Sequence, residues 1–480
     1  MKYNIPYYFF LFPIISFFYC IYYSLYFYDG YHFGLIFSNA TELNLGKLPY
    51  KEIFIEYGYL TTFIHSLILK IFGNEVFYLQ IYTGLIYSIT ISLIGLIVKN
   101  LTNKYYGLLA IISLFLIYPI PLKPWPIYNC YFFYTLSLFF YIKDNKKYKL
   151  FSGFCLSLAY LSFTTVYNFV LPLLFFLLIF YYLVFLKKNK NELFKLFYFL
   201  VGSFVPILIF YIYLIINNIF GTWFTYQKIP ILFELTIANK NIFSQILFFL
   251  DQISFSAFKN YIILPHQIYF GLIFFITLYF LGISLYLKIL EKKNNKKFDI
   301  LIIISIFVIS ITPHGQIGGI EKMSTSLSIG IIILFVIINN LKSLEYKYFV
   351  LSFLLFTTIL IAINNYNHPE YSSFKVDSSN KTYNPEKIDF FQKQKWRMKD
   401  WNAINGIIQS ADKIKTKCNI RKAANLTADG LFFSIIENKI QIIPHFFKGH
   451  GSIVRDIIEP NLIFEIQERI NKNDIYLISS

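Results

Sequence analysis

The chain has 480 residues, 56% of them hydrophobic and 14% charged, with 56 Phe, 41 Tyr and a formal net charge of +17. A soluble protein of ordinary composition carries about 25% charged residues, and no water-soluble core could hide so many rings, so a bilayer must serve as part of the solvent. The positive charge sits in short loops, with no basic stripe on a soluble domain, which argues against nucleic acid as a partner.

The first apolar run, Ile5 to Phe27, is longer than a signal-peptide core of about 7–15 residues and lacks a small-residue cleavage site. It reads as a retained span. A span needs about 20 mostly apolar residues, and eleven are expected near 6–27, 76–98, 105–122, 127–142, 149–165, 167–186, 195–217, 267–287, 299–313, 324–340 and 347–363. No repeat at a fixed period is visible. The loops between them alternate. Lysines crowd 99–104, 143–149, 187–195, 288–297 and 342–347, whereas acids balance lysines in 28–75, 118–126, 218–266 and 314–323. Positive loops stay on the cytoplasmic side. The expected topology therefore has a cytoplasmic N-terminus and an extracytoplasmic tail from residue 364, in a cell inner (plasma) membrane.

At Asn364 the composition becomes that of a soluble protein. A helix near 385–413, a β-like run near 432–443, a helix near 453–471 and a strand at 475–479 predict a small α/β domain. Its Trp396-Arg397 and Trp401 are assigned to its own core and surface. The expected fold is thus an all-α polytopic membrane domain over 1–363 and a small α/β extracytoplasmic domain over 364–480. Cys20, Cys130 and Cys155 lie in apolar segments and Cys418 in the tail, so no disulfide framework is implied.

The first outer loop, 28–75, departs from what packing requires. An otherwise acid-poor chain places Asp29, Glu42, Glu52 and Glu56 there, with Asp29 at the very end of a span, where an acid is costly unless it meets water or a cavity. The stretches 31–45 and 59–72 are amphipathic and too short to cross, which suits helices lying on the membrane surface. His32 and His65, on those stretches, read as packing residues rather than ligands. No His/Cys/Asp cluster has zinc-ligand spacing.

The order of elements carries a resemblance. An aspartate at the outer end of a span is followed by a helical stretch, a Gly46-x-x-Pro49-Tyr50 turn, the polar motif Glu56-Tyr57-Gly58 and a helix closing on Phe72-Gly73-Asn74. This resembles the membrane glycosyltransferases of the GT-C fold, among them the protein O-mannosyltransferases, the lipid A aminoarabinose transferases and the bacterial glycosyltransferase-family-39-like members. The match is strongest over about residues 6–100. It implies a GT-C-like fold and transfer of a sugar from a polyprenyl-phosphate donor to a hydroxyl on a glycan, lipid or protein acceptor. By the same resemblance Asp29 takes the position of the catalytic base, with Glu52 and Glu56 orienting the acceptor or holding a divalent cation. The leaving phosphate needs cations. The membrane part contains no arginine, which leaves Lys47, Lys123, Lys259, Lys322 and His314, all in outer loops. The stretch 312–322, rich in glycine, could add backbone donors.

Two other classes remain open. A transporter or flippase of lipid-linked sugars would place charges at midplane and paired broken helices, and the spans hold almost no ionisable residue. An O-antigen ligase or polymerase would concentrate arginine in a late outer loop, and 218–266 has none.

Overall fold

The structure is a computed structural model that describes residues 8–26, 30–53, 55, 57–117, 123–186, 189–224, 227, 264–291, 296–311, 328–367, 393, 395–419, 422–425, 441–442 and 476–478. In chain order its helices are α1 (Tyr8–Ser24), α2 (Gly30–Asn44), α3 (Tyr59–Phe72), α4 (Val76–Leu101), α5 (Lys104–Ile117), α6 (Pro126–Tyr141) and α7 (Lys146–Ser162). There follow α8 (Thr164–Tyr181), which runs on into a π-turn at Tyr182–Leu186, α9 (Lys190–Ile216), α10 (Leu264–Glu291) and α11 (Lys296–Ser310). A 3₁₀ turn at Ser328–Gly330 leads into α12 (Ile331–Asn340), and α13 (Leu344–Asn367) and α14 (Met398–Lys417) complete the series.

A helix occupies each of the eleven stretches expected to cross a membrane. Among the described residues five of them, over Val76–Leu101, Tyr167–Leu186, Lys190–Ile216, Ile268–Lys288 and Leu344–Asn364, are long and apolar enough to do so by length and composition. The sequence sets their ends. Asn145 caps α7 by accepting from Lys147 N at 2.9 Å, Asn189 caps α9 by accepting from Asn191 N at 3.2 Å, and Pro126 starts α6 where a missing N–H costs nothing. Buried hydroxyls fold back on their own helix: Thr90 donates to Ile86 O, Thr277 to Ile273 O and Ser305 to Leu301 O.

Helices in lipid gain little from hiding apolar surface, so they hold together through close contact of small residues. On α7 and α9 the pair Gly153 and Gly202 supplies this, since a Cβ on Gly153 would stand 2.0 Å from Phe199 O and one on Gly202 2.1 Å from Leu150 O. The opposite faces of α8 and α9 remain exposed and apolar, through Phe176, Phe180, Phe197, Phe204 and Ile212. Such a surface suits lipid.

The two ends of the bundle differ in chemistry. At one, Lys195 pairs with Asp144 and Glu192, and Lys288 pairs with Asp299 and donates to the Tyr181 hydroxyl at 2.8 Å. Tyr141 donates to the Tyr182 hydroxyl at 3.1 Å, joining the ends of α6 and α8. These contacts bring Asp144, Glu192, Lys195, Lys288 and Asp299 to one end of the bundle. At the other end lie the last residues of α1, the helices α2 and α3, and the starts of α4 and α6.

The tail returns to that second end. Lys395 N donates to Leu25 O at 2.6 Å, and Lys393 Nζ lies 3.3 Å from Glu75 and donates to the Tyr78 hydroxyl. Helix α14 begins at Met398, later than the expected 385, because Arg397 is extended (φ −73, ψ 141). Its apolar residues Trp401, Ile404, Ile408 and Ala411 recur at helical spacing and are all buried. They do not form a core of the tail's own, as the sequence suggested. Trp396, Trp401, Ile404 and Ile408 cluster with Ile36, Phe37 and Ala40 of α2, Leu69 of α3, and Val76 and Leu79 of α4. Beyond α14, strands β1 (Lys422–Asn425), β2 (Gln441–Ile442) and β3 (Tyr476–Ile478) form a parallel sheet in the order β2-β1-β3. β1 was not foreseen, and the helix expected at 453–471 lies outside the described residues.

Candidate functional site

The first outer loop is built as a series of stops. Helix α2 ends in a Schellman motif, with Lys47 N donating to Glu42 O at 3.2 Å and Gly46 N to Leu43 O at 3.1 Å. This motif needs a left-handed residue, and Gly46 (φ 83) supplies it. A tight turn follows in which Leu48 O accepts from Glu52 N at 2.9 Å while the Glu52 carboxylate accepts from Leu48 N at 2.7 Å. Tyr50 sits at the tip with φ 63, a strained position for a bulky residue. Packing holds it there. Its ring is fully buried, 6.5 Å from Phe210 of α9, in an aromatic group that includes Tyr59, Tyr213 and Trp223.

The Tyr57-Gly58 motif then turns the chain into α3. A Cβ on Gly58 would stand 2.5 Å from the carbonyl carbon and oxygen of Ser162, so only glycine lets α3 start against the end of α7. Tyr57 packs with Phe163 (5.4 Å, edge-on) and Trp125 (6.0 Å), which brings the Lys123-Pro-Trp-Pro126 turn to the same place. Asn44 Nδ2 donates to Ser66 O at 2.9 Å and ties α2 to α3.

Helix α3 is amphipathic in an inverted sense. Phe63, Leu67, Ile71 and Phe72 are exposed, while Thr61, Thr62, His65 and Ser66 are buried. The apolar face suits a membrane surface and the polar face looks into the protein. There it borders a small recess of about 20 Å³, room for about one water, lined by Ile36, Asn39, Ile55, Tyr57, Gly58, Thr61, Thr62, His65 and Pro126. Thr61 Oγ1 donates to Ser162 O at 3.1 Å and accepts from Asn129 Nδ2 at 3.3 Å, and the Tyr82 hydroxyl donates to Asn129 Oδ1. His65 is 1% exposed, and among the described residues neither of its ring nitrogens has a hydrogen-bond partner. Burial pushes its pKa down to about 3, so the ring is neutral at ordinary pH.

The residues singled out in the sequence are distributed unevenly over this geometry. Lys47 is ion-paired with Glu42, which neutralises its charge. Glu52 is exposed and engaged with the backbone of its own turn. Lys123 is half-buried one turn from the recess-lining Pro126. Asp29 directly precedes α2 and Glu56 stands between Ile55 and Tyr57, but both lie outside the described residues, as do Lys259, His314 and Lys322. Among the described residues no three His, Cys, Asp or Glu side chains form a group able to hold a metal ion. His65 was read as packing. Its burial and its edge-on contact with Tyr82 agree with that, and with Thr61, Thr62 and Ser66 it forms a polar stripe on one face of an otherwise apolar helix.

Among solved structures the chain is similar to the oligosaccharyltransferase of Archaeoglobus fulgidus, crystallised in a complex with zinc and sulfate. The TM-score is 0.46 at 11% identity, over 90% of this chain and 62% of that one. The chain thus spans under two-thirds of that protein's length. No protein-family model matches the sequence, and no curated protein does.

Proposed function

We propose that this chain is an integral membrane glycosyltransferase that moves a sugar from a polyprenyl-phosphate donor to an acceptor hydroxyl on the outer face of a cell membrane. In this reading the eleven stretches cross the membrane, the lysine-rich loops are cytoplasmic, and the tail from 364 onward is extracytoplasmic. One observation supports it above the others. Helix α2, the Tyr57-Gly58 motif, α3 and the head of α6 meet at one small recess, just beyond the Gly46–Ile53 turn and at the end of the bundle away from Asp144, Lys195 and Lys288.

Asp29, just ahead of α2, is the proposed base. The acceptor O–H gives its proton to the Asp29 carboxylate while its oxygen bonds to the anomeric carbon of the donor. The bond from that carbon to the phosphate oxygen breaks, and the polyprenyl phosphate leaves with the electron pair. Glu56 orients the acceptor, and Glu52 serves chiefly to shape the turn that carries it. Lys123, His314 and Lys322 are the proposed partners of the leaving phosphate. Lys47 contributes less, since Glu42 compensates it. The test is transfer of radiolabelled sugar from a polyprenyl-phosphate donor in membranes containing the protein. No transfer from any donor of this class would refute the assignment.

A further inference from the structure

At the end of the bundle away from the recess, lysines are held in two different ways. Lys195 and Lys288 are buried and bonded to carboxylates, so their charge is compensated where it sits. Lys146 and Lys147, in the first turn of α7, are exposed, and among the described residues neither meets a carboxylate. The only acids in the stretches 143–149 and 187–195 are Asp144 and Glu192, and Lys195 bonds to both. Aromatic rings lie under the ammonium groups here. Lys143 Nζ is 4.2 Å from the centre of the Phe139 ring and 4.6 Å from that of Tyr148, and Lys146 Nζ is 5.3 Å from that of Phe194. A ring steadies an ammonium on one side without neutralising it, so the other side still attracts an anion.

The rings also set the depth at which an anion would lie. Helices α7 and α9 run side by side in the same direction: Gly153 meets Phe199 O, and Lys146 reaches Phe194, so both helices start at one level. Tyr148 and Phe151 on α7, and Phe194 and Phe197 on α9, are exposed within two turns of those starts. A turn rises about 5.4 Å, which keeps these rings near the boundary between headgroups and acyl chains, where such rings gather.

We infer that this edge of α7 and α9 binds an anionic phospholipid, with the headgroup phosphate against Lys146 and Lys147 and the acyl chains along Phe151 and Phe197. Charge complementarity selects that occupant. A zwitterionic headgroup brings its own ammonium toward the lysines and offsets the attraction of its phosphate, whereas a headgroup of net negative charge does not. A soluble anion meets the lysines alone, while a lipid meets lysines and rings together. In the proposed topology this end faces the cytoplasmic leaflet, whose surface is negative. Binding here is independent of any sugar chemistry at the opposite end.

The experiment is native mass spectrometry of the full chain in a neutral detergent. It is titrated with dioleoyl phosphatidylglycerol or dioleoyl phosphatidylcholine, which share their acyl chains. The first phosphatidylglycerol should bind about tenfold more tightly than the first phosphatidylcholine. Lys146→Gln/Lys147→Gln should bring the two lipids within about twofold of each other, and Lys146→Arg/Lys147→Arg should keep the preference. Lys413→Gln/Lys415→Gln removes the same charge from exposed positions of α14 and should leave the preference intact. Glycerol 3-phosphate in large excess should not displace the lipid. Equal binding of the two lipids to the wild type would overturn the inference, as would an undiminished preference in the glutamine variant or a preference lost in the arginine variant. An equal loss in the α14 variant would trace the effect to net charge, and displacement by glycerol 3-phosphate would trace it to a free anion; either result also overturns it.

Discussion

Gly58 lies so close to Ser162 that an added methyl carbon would stand 2.5 Å from its carbonyl. The same carbonyl accepts the Thr61 hydroxyl at 3.1 Å, so the first turn of α3 is fixed to the last residue of α7 at two points. Gly58 has φ −173, which any residue adopts, so space alone demands glycine here. Gly58→Ala should force α3 away from α7, lower thermal stability in detergent by about 1–3 kcal/mol, and reduce sugar transfer. An alanine variant with wild-type stability and activity would show that the contact tolerates an extra carbon.

Asp29→Asn keeps the shape of the side chain and removes its charge. If Asp29 accepts the acceptor's proton, transfer should fall by about 10²–10⁴-fold, with expression and insertion unchanged. Glu52→Gln should lose far less, because a glutamine oxygen can still accept from Leu48 N. The assay is initial rate in membranes, normalised to protein. Full activity of Asp29→Asn would remove the proposed base.

The side of the membrane on which the tail lies can be read from a cysteine the chain already carries. Cys20, Cys130 and Cys155 are buried, and Cys418 is exposed next to α14. A membrane-impermeant maleimide added from the outer side should label Cys418 in intact spheroplasts, and Cys418→Ser should abolish labelling. Labelling only after lysis would reverse the orientation.

Docking of α14 on α2 through Trp401 makes a further expectation. Replacing a buried tryptophan with alanine costs about 3–5 kcal/mol. Trp401→Ala should free the tail, speed proteolysis near 393–417, and lower transfer by loosening the helix that carries Ile36 and Asn39 into the recess. Lys393→Ala should act in the same direction more weakly, since its partner Glu75 is a surface-type ion pair.

Acid should act through His65. The folded state holds its imidazole neutral down to about pH 3, whereas in the unfolded chain it takes a proton near 6.5. The unfolded state therefore binds more protons between those values, and stability declines as pH falls from about 6.5 toward 3. His65→Leu should show a shallower decline over that window in thermal unfolding measured as a function of pH. Parallel curves for the two proteins would mean that the ring is not held neutral.

Much of the helical framework could be read from the sequence, because long apolar runs such as 76–98 and 195–217 have few other outcomes. The ends of α7 and α9 follow from Asn145 and Asn189. What escaped was partnership. Ile36, Phe37 and Ala40 form an apolar stripe that reads equally well as facing lipid or protein, and only the fold shows that Trp396 and Trp401 cover it. His65 was expected to pack and it does, but its two unpartnered nitrogens were not foreseen, because the absence of a hydrogen bond leaves no mark in a sequence. Strand β1, Lys-Ala-Ala-Asn, has none of the β-branched residues that announce a strand, and it forms by pairing with segments far along the chain. The site was legible in outline, through Gly46, Pro49-Tyr50 and Gly58, because each of those residues answers a local backbone demand.

The clasp between the tail and α4 joins residues 315 positions apart, Lys393 and Tyr78. Ribosomal synthesis therefore delivers the helices around the recess long before it delivers the segment that covers them. Until Met398–Lys417 emerges, Ile36, Phe37 and Ala40 wait as a naked apolar strip. A nascent chain interrupted in that interval offers chaperones and proteases a flag that the finished protein no longer carries.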